Sequence, residues 1–215
     1  MKDIKLILAT DENGNDITSG QVETWLRNST KKELADFFYH RFYGRYLKPF
    51  NFENNEYITK YKNGFAIMSN CCLLIETFVS FTVPIFKDTT HKCERCFGYF
   101  FLTNPGFLEF SQNGLTKEQY LNVNVPIKNV GIPLDFYRNL RNGVLHNGET
   151  RNGWKINRKG ELFDKKEKRI NAVRFMNELI YVIENFKKSL INSNFNTDQI
   201  WLTYRDRLKE LIDKS

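Results

Sequence analysis

Arg141, Asn142 and His146 stand close together in a segment with helical periodicity, and Glu76 interrupts an apolar stripe far upstream. Arginine holds carboxylates and phosphates with a planar fork of donors, and histidine takes or gives a proton near neutral pH. Placed on a wheel at about 100° per residue, Leu134, Phe136, Tyr137, Leu140, Val144 and Leu145 gather on one apolar side. Asp135, Arg138, Asn139, Asn142 and His146 share the other, with Asn142 and His146 stacked a turn apart. Arg141 falls between Leu134 and Tyr137 at the apolar edge, where its charge needs a carboxylate or a bound phosphate. Glu76 lies in the stripe Met68, Cys72, Glu76, Val79 and needs a partner too, so the two charges are expected to meet across two core helices. An ion pair that only specifies the fold gives the same pattern. His146 beside Gly148 also suits a helix C-terminus favoured by the macrodipole.

Other residues extend the list of candidates. After the motif, Arg151, Lys155, Arg158, Lys159, Lys165, Lys166, Lys168 and Arg169 outnumber Glu161, Asp164 and Glu167. Such a stretch is either a solvated face or a track for an anionic polymer. Tyr137 and Trp154 are placed to stack on bases or to fill a core. Cys93 and Cys96 form a Cys-x-x-Cys with His91 nearby, but Cys71 and Cys72 are adjacent in an apolar run, so the spacing does not make a zinc site. They read instead, with Phe97, Phe100 and Phe101, as the apolar face of a short helix.

The elements that must position these groups follow from periodicity and punctuation. Thr30-Lys31-Lys32-Glu33 has capping-box spacing and opens a helix reaching about Pro49, with Leu34, Phe37, Phe38, Phe42 and Tyr46 at helical intervals. A second helix is expected from about Thr59 to Val83 and a third over roughly Lys92 to Thr103. The segment Asn104 to Gly131 reads as loop with one turn at Lys117 to Tyr120. Pro133 then favours a helix start, and the motif helix runs to about His146 before the glycines at 148 and 153. Trp154 to Ile156 and Glu161 to Phe163 flank Arg158-Lys159-Gly160 as a hairpin. Amphipathic helices over Arg169 to Asn192 and Thr197 to Lys214 complete the chain.

A length of 215 residues, 41% hydrophobic and 15% aromatic with 19 Phe, is ample for one packed domain and excludes a disordered chain. The net charge of +7 fits an anionic partner. The apolar run near the N-terminus is too short for a signal peptide, which places the protein in the cytoplasm with its cysteines reduced. The apolar stretch Phe65 to Phe86 is long enough to raise a membrane span, but Asn70, Glu76 and Thr77 interrupt it, and a buried core helix is expected.

The run Phe136-Tyr137-Arg138-Asn139-Leu140-Arg141-Asn142-Gly143-Val144-Leu145-His146 resembles the signature of the HEPN superfamily, named for higher eukaryotes and prokaryotes nucleotide-binding. That signature is an Arg, usually a polar residue next, and a His after a gap of four to six. The resemblance spans roughly Thr59 to Tyr204, including Glu76 upstream and the Gly153-Trp154 segment downstream, in an order similar to a group of mostly uncharacterised bacterial HEPN-like proteins. It implies a four- to five-helix bundle; with the hairpin and first helix read above, the expected fold is all-α, a bundle over residues 51–215 with a small β-hairpin after the motif helix, and residues 1–50 as an N-terminal extension carrying one long helix. It also implies a metal-independent endoribonuclease without cofactor, of the toxin or phage-defence kind, dimerising across the Arg141/His146 face.

In that chemistry His146 takes the proton from a ribose 2′-OH or gives one to the leaving 5′-oxygen. Arg141 holds the phosphodiester, Asn142 orients phosphate or imidazole, and Glu76 holds Arg141. The nucleophile is the substrate's own 2′-OH, so a 2′,3′-cyclic phosphate is the expected product and DNA is expected to resist. Arg138, Tyr137, Arg151, Lys155, Arg158 and Lys159 are the expected RNA contacts. Two other functions fit: a non-catalytic RNA- or nucleotide-binding module, and the regulated partner of a nucleotidyltransferase antitoxin. In the latter branch a Tyr stands two positions after the His, where this chain has Gly148.

Overall fold

The computed structural model describes residues 6–51, 63–87, 93–128 and 131–214. The expected helix starts at Thr59 and Lys92, and His91 of the cysteine motif, lie outside these residues. The described chain is mostly helical, with two small sheets, and divides into two compact units. One comprises residues 1–51 and 180–215, the other residues 52–179.

In the first unit, β1 (Ile7–Thr10) and β2 (Asp16–Thr18) pair antiparallel around a turn held by the Asp11 carboxylate, which accepts from the Asn13 and Asn15 backbone N–H groups. Helix α1 (Ser19–Arg27) starts from a true capping box, Thr18 with Gln21. Thr30, at the entry to α2 (Lys31–Phe42), caps nothing with its side chain. The capping-box spacing at Thr30 is therefore not realised: its hydroxyl turns back to the Trp25 carbonyl. A π-helical turn, Tyr43–Leu47, follows α2. Phe38, Phe42, Trp201 and Tyr204 are buried in the core here, and the half-buried Phe186 packs its ring on Phe38.

The second unit centres on α3 (Gly64–Thr82), whose Ile67, Met68, Cys71, Cys72, Leu74 and Ile75 are fully buried. Its length and composition would let it cross a membrane, yet 61% of its most apolar stretch is buried inside the protein. Helix α4 (Cys93–Thr103) packs on α3 and on a 3-10 segment, Pro105–Ser111. The core between them is aromatic. Phe97, Phe100, Phe101, Phe107, Phe110, Phe136 and Phe175 contact one another with ring centroids 4.9–6.5 Å apart, a cluster that extends through Phe163 to Trp154. The expected turn at Lys117 is α5 (Lys117–Leu121), opened by a second capping box from Thr116.

The motif helix has three parts: α6 (Gly131–Asp135), a π-helical stretch (Phe136–Arg141) and α7 (Asn142–Asn147), which ends on Gly148 at φ +68°. After it the expected hairpin is replaced by a three-stranded sheet. Strands β3 (Lys155–Asn157) and β4 (Phe163–Asp164) do not pair with each other; both pair with β5 (Arg169–Asn171), β3 parallel and β4 antiparallel. Asn171 explains the change. It is buried, its backbone N–H donates to the Leu162 carbonyl and its side-chain amide to the Gly160 carbonyl, so the loop's acceptors are taken by the third strand. Its Oδ1 also accepts from the Val173 and Arg174 N–H groups and so caps the start of α8 (Ala172–Asn192). Helix α8 therefore begins after Asn171 rather than at Arg169, and it runs through both units. Helix α9 (Gln199–Asp213) closes the first unit and packs on α1.

Candidate active site

The π turn decides where the motif's side chains lie. Asn142 N–H bonds to the Tyr137 carbonyl, five residues back, so one extra residue is wound in and α7 is rotated relative to α6. Leu134, Phe136, Leu140 and Val144 are buried, as the wheel requires, while Tyr137 and Leu145 are only half-buried. His146 is exposed and Asn142 half-buried.

Arg141 turns inward to α3 and meets Glu76 in a two-point pair, Nε to Oε1 at 2.6 Å and Nη2 to Oε2 at 2.9 Å. Both side chains are nearly out of solvent, at 12% and 14% exposed. The other arm of the guanidinium faces the motif: Nη1 donates to Asn142 Oδ1 at 2.8 Å and lies 3.3 Å from His146 Nε2. The Tyr137 ring stands 5.3 Å from the guanidinium carbon and is backed in turn by Phe97 at 5.5 Å. Glu76, Arg141, Asn142, His146 and Tyr137 thus form one constellation. An arginine has five N–H donors, and four are engaged here, leaving one on Nη2.

The environment explains the charge states. Burial works against the Arg141 cation, but the Glu76 carboxylate more than offsets it and holds the guanidinium pKa above its usual range. Burial pushes the Cys72 thiol well up, with Glu76 adding to the shift and Arg141 opposing it. Burial also raises the Tyr137 phenol, to about 12, with the Cys93 thiol beside it contributing and Arg141 opposing. Tyr137 therefore serves as an uncharged floor under Arg141. Its half-buried ring is committed to Arg141 and Phe97.

The chain after α7 is pulled back along the motif helix. Glu149 N–H donates to the Gly143 carbonyl and Arg151 N–H to the Asn139 carbonyl at 2.8 Å. A Cβ at Gly143 would stand 2.4 Å from the Glu149 carbonyl oxygen, so only glycine permits this return. Asp135 ties the same region together, accepting from Lys168, Asn139 and Asn152. Neither Gly143 nor Asp135 stood out as a positioning residue in the sequence; a glycine inside an apolar helical pattern was the available signal.

The expected RNA contacts divide. Arg138 lies at the site but is paired with Glu94 at 3.2 Å, and Lys155 pairs with Glu167 at 3.0 Å. Arg151 is exposed, with its guanidinium on Asn147 Oδ1. Arg158 is half-buried, and Lys159 is exposed and forms no ion pair among the described residues. Lys168 and Arg169 are taken by Asp135 and Asp164. Three of the eight basic residues in the stretch, Lys155, Lys168 and Arg169, are thus held in local ion pairs. Cys93 and Cys96 lie on α4, and no group of three or more metal-ligating side chains forms among the described residues.

No family model, curated protein or solved structure matches the chain.

Proposed function

We propose that the protein is a metal-independent endoribonuclease of the HEPN type, built on a HEPN-like four- to five-helix bundle, that cleaves RNA by 2′-OH attack. The observation that carries this is the Arg141 guanidinium fixed by Glu76 and within 3.3 Å of His146 Nε2. A rigid cation beside an exposed imidazole supplies what the reaction needs, stabilisation of phosphoryl charge and a proton acceptor. Asn142 supports the same reading. Its Oδ1 accepts from Arg141, which turns its amide N–H groups away from Arg141 as donors for a phosphate oxygen. The exposed side chains of Phe65 and Leu73, on the face of α3 that leads to Glu76, favour a homodimer across the motif face. The free cysteines fit a cytoplasmic, reducing setting, and the toxin or defence role, with an antitoxin or other defence-system protein as partner, fits an RNase of this kind.

The test is purified protein incubated with RNA in excess chelator, beside His146→Ala. Cleavage that leaves 2′,3′-cyclic phosphate ends, spares DNA and falls by about 10²-fold or more in the variant is expected. Equal cleavage by both proteins rules the reading out. A second reading, a non-catalytic RNA- or nucleotide-binding module, is favoured by the near saturation of Arg141 by its own neighbours. It predicts binding without turnover, weakened in Arg141→Ala.

A further inference from the structure

Arginine carries only donors, so the atom that faces Arg141 Nη1 must offer a lone pair. That atom is His146 Nε2, 3.3 Å away. A hydrogen bond across this contact requires the lone pair to be on Nε2 and therefore assigns the ring proton to Nδ1. The nitrogen that presents a lone pair is therefore the one turned onto Arg141, where it cannot also receive a proton from substrate. The same Nη1 donates to Asn142 Oδ1, so both of its hydrogens are spent on the motif, while Glu76 takes Nε and one Nη2 hydrogen.

We propose that Arg141 is a latch: without substrate it holds His146 as the Nδ1–H tautomer with Nε2 occupied, and an incoming phosphate oxygen displaces His146 from Nη1 and frees Nε2. The exchange follows from charge. An oxyanion is a stronger acceptor for a guanidinium than a neutral imidazole, because both partners are then ionised. The remaining Nη2 hydrogen and the Asn142 amide N–H groups are the donors left for the other oxygens. Glu76 does not leave in this exchange, because its two-point pair anchors the guanidinium from the buried side. His146 is exposed, so its ring can turn away without disturbing the core. Arg141 touches it from the same motif helix, Glu76 on α3 stands behind Arg141, and Arg151 on the returning chain is held to the adjacent Asn147. Proton-accepting capacity at His146 is thereby tied to occupancy by phosphate. The proposal rests on the RNA-cleavage reading only for the identity of its natural ligand.

The tautomer is read directly from the imidazole ¹⁵N shifts of the full chain in alkaline chloride buffer, with inorganic sulfate as the probe at matched ionic strength. The chain has 3 His, so the His146 signals are assigned by their loss in His146→Ala. Wild type is expected to show His146 as Nδ1–H in chloride and to gain the Nε2–H form, which free imidazole favours, as sulfate is added. Arg141→Gln is expected to show mainly Nε2–H from the start, with no response to sulfate. An Nε2–H His146 in the wild type without sulfate overturns the latch, and so does an Nδ1–H signal that sulfate leaves unchanged. Both measurements use the wild type, so they stand even if Arg141→Gln fails to fold. They are also independent of turnover: a protein that passes them yet cleaves RNA equally with and without His146 keeps the latch and loses the nuclease.

Discussion

Glu76 and Arg141 are a pair whose partners are each costly without the other. A carboxylate and a guanidinium this far from water are tolerated because they satisfy one another at two points. Glu76→Ala leaves the guanidinium beside the buried Cys72 with no carboxylate, and a loss of about 2–4 kcal/mol is expected. The midpoint of urea unfolding measures it. Replacing both partners by methionine should recover most of that loss while abolishing any phosphate chemistry. If the double variant is as unstable as the single, the pair is not an isolated ion pair but part of the packing. This pairing was legible in the sequence, because a charge in an apolar stripe on each of two helices admits few arrangements. The contact between Arg141 and His146 was not: on a regular wheel the two side chains point to different sides, and only the reach of the long arginine brings them together.

At the scale of elements, the π turn and the chain's return over α7 make the site. Nothing in residue type distinguishes a π turn from an α turn, so the sequence pattern predicts one straight helix and misses the rotation of α7. The small sheet departs from the expected hairpin for a different reason. The turn residues around Gly160 suit a hairpin, with Gly160 at φ +92°, but the buried amide of Asn171 competes for the same carbonyls from the third strand. Gly143→Ala forces the Glu149 carbonyl outward, and a destabilisation of about 1–3 kcal/mol is expected, with, on the nuclease reading, a larger proportional loss of RNA cleavage. Asp135 adds a pH dependence. Burial opposes its charge, but hydrogen bonds from Lys168, Asn139 and Asn152 outweigh that and hold the carboxyl below its ordinary 3.8. Because the folded value is the lower one, the stabilisation is complete above the ordinary value and drains as pH falls through the folded one. Acid unfolding of Asp135→Asn, followed by circular dichroism, should therefore be less steep below about pH 4.

For the whole molecule, the net charge of +7 is spread over a surface on which many cations are already paired. On the proposed reading, affinity for RNA should still fall with salt, since each phosphate contact releases counterions. Lys159→Gln should flatten the slope of log affinity against log salt by up to about 1, whereas Lys155→Gln, whose lysine is already held by Glu167, should change it less. Equal slopes for all three proteins would remove the basic stretch from the RNA path. The helical class and the core helices were readable because nineteen phenylalanines and long apolar faces leave little choice of fold class. The division into two units was not readable, because helix α8 is continuous in sequence and in structure across the boundary at residues 179 and 180. Trp154 is 3% exposed and stacked on Phe163 in one unit, while Trp25 and Trp201 belong to the other. The chain thus carries its own optical labels: emission from variants that keep only Trp154 or only Trp201 reports the melting of each half separately, and shows whether a break in one is felt across the shared helix.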